Sequence, residues 1–146
     1  MIDIESFIFA EIASVLRNKY VDEMGATDIF VSGEYVDVPA RFPAVTIIEN
    51  SNIVLKRMRT LNIENAATLM YEVNVFSNKI GYKKAEAKEI LSTVDEVFES
   101  LGFTRVMSSP TPNIQDSTIY RMTARYEGNV MVEYDDNGGI FRIYTN

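Results

Sequence analysis

The chain has 146 residues, 47% of them hydrophobic and 24% charged, and 14 lysines and arginines against 21 aspartates and glutamates set its formal charge at −7. The acidic balance argues against a general binder of nucleic acid or anionic membrane. There is no cysteine and no histidine, which excludes disulfides, thiol catalysis, Cys-ligated zinc, the Ser-His-Asp triad, haem ligation by histidine and the usual zinc enzymes.

Asp3 and Glu5 stand where a signal peptide carries basic residues. No apolar run approaches the length of a membrane span, and the expected site of synthesis is the cytoplasm. Residues 3–20 read as an amphipathic helix, with Ile4, Phe7, Ile8, Ile12, Val15 and Leu16 at helical spacing, Asp3 as N-cap and Gly25 just past the end. A strand is expected over Asp28–Val31. A turn at Ser32-Gly33-Glu34 and a returning partner over Tyr35–Val38 follow it. After Pro39 and Pro43 comes a short β-rich run, Val45 to Ile48. Asn50, Ser51 and Asn52 then suggest a turn. Residues 50–66 read as an extended arm or a long hairpin loop, a feature that in a small domain is functional or disordered.

Thr68–Ser77 is the clearest strand. Leu69, Tyr71, Val73 and Val75 share one face, and Met70, Glu72, Asn74 and Phe76 the other. The mixed character of the second face fits a sheet packed on helices on one side and open to solvent or a partner on the other. Tyr82–Leu101 is a second amphipathic helix, with Ala87, Ile90, Leu91, Val94, Val97, Phe98 and Leu101 as its apolar stripe and Gly102 at C′. A strand over Phe103–Met107 and a loop over Ser108–Asn113 follow. Thr118–Tyr126 alternates cleanly, with Tyr120, Met122, Ala124 and Tyr126 opposite Ile119, Arg121, Thr123 and Arg125. Val130–Tyr134 and Ile140–Tyr144, joined through Asp135–Gly139, read as a terminal β-hairpin turned by Asn-Gly. The fold class is α+β: a single domain over 1–146, with a mostly antiparallel sheet, two helices on one face and a C-terminal hairpin at 129–146.

Little in the chain carries chemistry. Asp135 and Asp136 beside Asn137 offer oxygen ligands of the kind calcium takes, but they lie where a hairpin turn favours such residues. Asp95, Glu96 and Glu99 read as the solvated face of the second helix. Gly138-Gly139 belongs to no phosphate-binding pattern. No catalytic residue, cofactor or metal site is therefore expected. The local reversal of charge is Lys56-Arg57-Met58-Arg59, with three cations in four residues. Three readings stand beside one another: contact with an acidic protein surface, which the net charge favours, a solvated loop without a partner, and contact with DNA. Tyr134 and Tyr144 on the hairpin suit an interface, while Tyr120 and Tyr126 suit the core.

Taken over nearly its whole length, the chain resembles the tail terminator, or tail-completion, proteins of tailed bacteriophages. The resemblance rests on the N-terminal helix and on Arg41-Phe42-Pro43-Ala44-Val45-Thr46-Ile47-Ile48-Glu49 as a Pro-containing lead into a strand. It continues in the strand Tyr71 to Asn78, in the helix Lys84 to Leu101 running into Gly102-Phe103-Thr104-Arg105, and in Tyr120 to Gly128 with its Arg-x-x-x-Arg-Tyr-x-Gly run. The segment Asn129 to Asn146 extends past the point where many relatives stop. The resemblance implies a structural virion protein at the tail–head junction. Such proteins form a ring, usually a hexamer, on the head-proximal end of the tail tube, stop its polymerisation and present the head-joining surface, while DNA passes through the lumen. The partners so implied are other copies of the chain, the tail tube protein and the head–tail connector proteins, with no membrane and no cofactor. Lys56, Arg57 and Arg59 become candidates for the subunit or tube interface. Another neck component, such as a head-completion or connector-joining protein, is the alternative, and a small cytoplasmic ligand-binding domain or enzyme is a further one.

Overall fold

A computed structural model describes residues 1–23, 29–58, 65–135 and 138–144. It begins with α1 (Glu5–Arg17), whose buried stripe is Ile8, Ile12, Ala13 and Leu16, with Ile4 just ahead of it. The stripe is narrower than the periodicity suggests, because Phe7 and Val15 point to solvent. Ile4, not Asp3, is the N-cap and makes no side-chain capping bond. Asp3 still serves the helix start, since its Oδ1 accepts the Glu5 amide at 3.1 Å. The helix continues past Arg17 as π-helical turns over Asn18–Glu23. Tyr20 enters the core there, and Lys19 Nζ donates to Thr93 Oγ1 of the second helix at 2.9 Å.

The sheet contains β1 (Phe30–Ser32), β2 (Ala44–Val54), β3 (Ala66–Ser77), β4 (Thr104–Pro110), β5 (Tyr120–Asp135) and β6 (Gly138–Tyr144). Their order is β1-β2-β3-β5-β4, with β6 also paired to β5. All neighbours are antiparallel except β1 and β2. The hairpin expected over residues 28–38 does not form. Instead Phe30 to Ser32 run parallel to Ala44 to Thr46, and residues 33–43 supply the long crossover that a parallel neighbour needs.

Two further boundaries move for identifiable reasons. Asn50, Ser51 and Asn52 do not turn the chain: β2 passes through them with a bulge between Glu49 and Ser51. A bulge tolerates the same irregular polar residues as a turn. Of the arm expected over 50–66, residues 50–54 belong to β2 and Ala66 to β3, Lys56–Met58 form a 3-10 turn, and residues 59–64 lie outside the described residues. Ser108, Ser109 and Pro110 are not loop but the end of β4, opposite Ala124, Thr123 and Met122. Proline is tolerated there because β4 is the edge of the sheet.

The alternating strand ending at Tyr126 and the first strand of the expected hairpin are one continuous β5. Gly128 lies at the join and packs beneath Phe103: a Cβ there would meet the phenyl ring at 2.7 Å. Along one edge β5 pairs with β3 from Tyr120 to Met131. Along the other it pairs first with β4 and then, from Asn129, with β6. Ala66 at the start of β3 faces Met131, and Asn65 extends the contact by accepting the Val132 amide at 2.8 Å. The last three residues of β5 project beyond that point by about 10 Å at strand spacing. The hairpin partner of Asp135 is Gly138, and Asp136 and Asn137 lie outside the described residues.

Both helices cover the same face. α2 (Lys83–Ser100) buries Ala87, Ile90, Leu91, Val94, Val97 and Phe98 against Tyr71, Val73 and Val75 of β3 and Ala124 and Tyr126 of β5. Phe98 stacks on Tyr126 with ring centroids 4.2 Å apart, and Phe103 meets the edges of Phe98 and Tyr71 at 5.5 and 5.7 Å. Each such side chain contributes about 1.5–3 kcal/mol by leaving water. α2 ends in a Schellman motif: Phe103 N donates to Phe98 O and Gly102 N to Glu99 O, with Gly102 at φ 90°. No helix among the described residues is long and apolar enough to cross a membrane.

Candidate functional site

The sheet face turned away from the helices divides into two halves. At the end where β2 begins and β3 finishes, it carries a polar network. Glu72 and Asn74 of β3 lie opposite Arg125 and Thr123 of β5. Arg125 donates from Nε and Nη2 to Glu72 Oε1 at 3.3 and 3.2 Å. Asn74 Oδ1 accepts from Thr123 Oγ1 at 2.7 Å and from Arg121 Nε at 3.0 Å. The Arg121 guanidinium also lies 5.3 Å from the Phe76 ring centre. Asn74 is 1% exposed and Glu72 7%, so these groups are covered as well as paired.

The cover comes from two loops. Asn113 Nδ2 donates to Asp37 O at 3.1 Å, joining the segments before β2 and after β4 across the face. Phe30 and Phe42 pack on Ala44, Phe76 and Ile119 in a second small core. The Tyr35 hydroxyl reaches Glu72 Oε2 at 3.4 Å, and burial together with that carboxylate raises its pKa. Donors and acceptors in this half are turned toward one another and hold the two loops in place.

The other half is open. Ile53 is 61% exposed, and Met70 and Met131 are half-buried on the same face, which also carries Ser51, Thr68, Glu127 and Asn129. Thr68 Oγ1 donates to Asn129 Oδ1 at 2.8 Å across the same face. Methionines on such a face make a surface that adapts to a partner. At its end, Lys56 and Arg57 stand exposed in a short 3-10 turn after β2. Arg59 lies outside the described residues. Leu55 N donates to Ala66 O at 3.0 Å, so this basic turn sits at the end of the sheet from which the β5–β6 hairpin projects. Two of the three sequence candidates, neighbours in the chain, thus stand at the end of this mixed sheet face.

Tyr120 and Tyr126 pack in the core beneath the helices. Asp95 on α2 is engaged, accepting from Arg105 Nη1 at 3.2 Å. Among the described residues, no group of three or more aspartates and glutamates is arranged to hold a metal ion.

Sequence reasoning misses the polar network, because alternation identifies the face but not the register that sets Glu72 against Arg125. It also misses a second cationic group. Lys83 and Lys88 read as helix surface and Lys79 lies ahead of the helix, although Lys84-Lys88 at i, i+4 spacing signal a shared face of α2.

No family model matches the sequence, and no curated protein matches it.

Proposed function

We propose that the chain is a structural virion protein that caps the head-proximal end of a phage tail tube as a ring, probed below by self-assembly and tube capping. In this reading copies of the chain, six in the ring, stop tube polymerisation and present the surface that receives the head connector. DNA passes through the lumen without specific binding, and neither cofactor nor catalytic residue takes part.

The observation that carries the reading is the pairing of a sheet face uncovered by helices, on which Ile53, Met70 and Met131 lie among Ser51, Thr68, Glu127 and Asn129, with a basic turn and a projecting hairpin at its end. A ring requires two different complementary surfaces on each subunit. An exposed sheet face and an extended hairpin are devices by which small domains make such contacts. The acidic net charge supports a lumen that lets DNA slide, since each neutralised phosphate would add affinity and slow passage. The sequence resemblance supports the same assignment.

The test is deletion of the coding sequence from the genome that carries it. Tails of uncontrolled length, or tails that do not join heads, are the expected result. Normal infectious particles would contradict the reading.

A further inference from the structure

Two surface features of opposite character lie on this molecule. The first is the turn between β3 and α2. Ile80 at its tip is 99% exposed. Gly81 takes φ 76° to make the turn, and Tyr82 N donates back to Lys79 O at 3.0 Å. Lysines surround the tip. Lys79 Nζ lies 5.0 Å from the Tyr82 ring centre and 3.9 Å from Glu86. Lys83 Nζ donates to Thr118 O at 3.2 Å, and Lys84 and Lys88 are exposed on the first turns of α2. Four of the chain's 14 cations thus fall within residues 79–88.

The second feature is a groove of about 490 Å³ between the first turns of α1 and the outer edge of the sheet at β1. Phe9, Val31 and Ile47 supply its apolar lining, and Glu5 and Glu34 its charge. Glu34 is exposed, and Glu5 is half-buried, with Oε2 accepting the Glu49 amide at 2.8 Å.

We propose that Ile80 of one copy seats in the α1–β1 groove of a second copy, with the surrounding lysines facing Glu5 and Glu34. The knob is apolar at its tip and cationic around it, and the groove is apolar within and anionic at its carboxylates. A chain of charge −7 repels its own copies, so contact between copies needs a cationic patch set against carboxylates. A nucleic acid would satisfy the lysines, but it would leave the isoleucine in water and the groove empty. Because knob and groove are different surfaces, each copy gives one contact and receives one, an arrangement that closes into a ring or continues as a filament. The contact deepens the ring reading and rests on it for closure.

The absence of cysteine makes the test direct. Ile80→Cys and Glu34→Cys are prepared as single variants and as a double variant of the full chain, and oxidised at concentrations where the wild type associates by sedimentation. Mixing the two single variants should give a cross-linked heterodimer well above the homodimer yield of either alone, and the double variant should give a ladder of multimers. Ile80→Asp should weaken association at least tenfold. Equal cross-linking of Ile80→Cys with itself, no 34–80 cross-link, or a wild type that stays monomeric at every accessible concentration would overturn the contact. So would lysine-to-glutamate changes at Lys79, Lys83 and Lys84 that abolish binding to a short DNA duplex but leave association unchanged. Closed rings without the cross-link would overturn the contact and leave the ring reading standing. A cross-linked ladder that never closes would keep the contact and remove the ring.

Discussion

Arg125 lies directly across the sheet from Glu72, and its guanidinium donates to one carboxylate oxygen from two nitrogens at 3.2 and 3.3 Å. Glu72 is nearly covered while Arg125 keeps much of its side chain in water. Loss of the arginine would leave the carboxylate without its cation and with only the 3.4 Å contacts from Tyr35 and Asn74, whereas loss of both charges would remove the problem. Arg125→Ala should cost about 1–3 kcal/mol in denaturant unfolding, the range for a buried polar group left without its partner. Glu72→Gln combined with Arg125→Ala should cost less than the sum of the two single changes. Strict additivity would show that the pair does not hold the face.

Gly128 gives a second prediction. Its backbone is in contact with the Phe103 ring, and a methyl group at Cβ would lie 2.7 Å from a ring carbon. Gly128→Ala should destabilise the chain by about 1–3 kcal/mol through overpacking. Phe103→Leu should recover part of that loss in the double variant, because a smaller side chain makes room. Thermal unfolding of the four proteins checks it, and a neutral Gly128→Ala would contradict the packing.

Glu49 supplies a pH dependence. Burial raises its carboxyl pKa, and the nearby negative charges of Glu5 and Asp3 raise it further. A carboxyl that holds its proton more tightly in the folded state opposes folding above its folded pKa, where it is ionised in both states. That opposition fades as pH falls from the folded pKa to the unfolded one. Glu49→Gln should therefore raise the melting temperature at pH 7–8, and the gain should vanish near pH 4, around the ordinary glutamate range. The same gain at both pH values would show that charge is not the cause.

How much of this was legible in the sequence depends on the kind of interaction. The faces of β3 and β5 follow from alternation alone, and Tyr71, Val73, Ala124 and Tyr126 do meet the helices. α2 and its glycine stop are equally local and equally legible. The parallel pairing of β1 with β2 is not, since Ser32-Gly33-Glu34 resembles a hairpin turn and the true partner is reached only after the crossover. The bulge in β2 hides for a related reason: three polar residues in a row look like a turn until the register with β3 is known. The cationic run Lys56-Arg57 is visible because it is contiguous, whereas the lysines around Ile80 gather only when the turn and helix are built.

The basic turn after β2 carries the next prediction. Charge reversal of Lys56, Arg57 and Arg59 to glutamate should weaken ring assembly, and the loss should depend on salt concentration, since the contact proposed is with an acidic protein surface. The isolated chain should keep its melting temperature within a few degrees, because Lys56 and Arg57 are exposed and such changes are usually small. Normal assembly with failed DNA delivery would move the cluster from the seam to the lumen.

The ring reading is tested most directly by electron microscopy of tail tubes assembled with and without the purified protein. A closed ring of density, six subunits in circumference, is expected on one end of each tube, and such tubes should no longer elongate when further tube protein is added. Bare tube ends and unchanged elongation at saturating protein would contradict it.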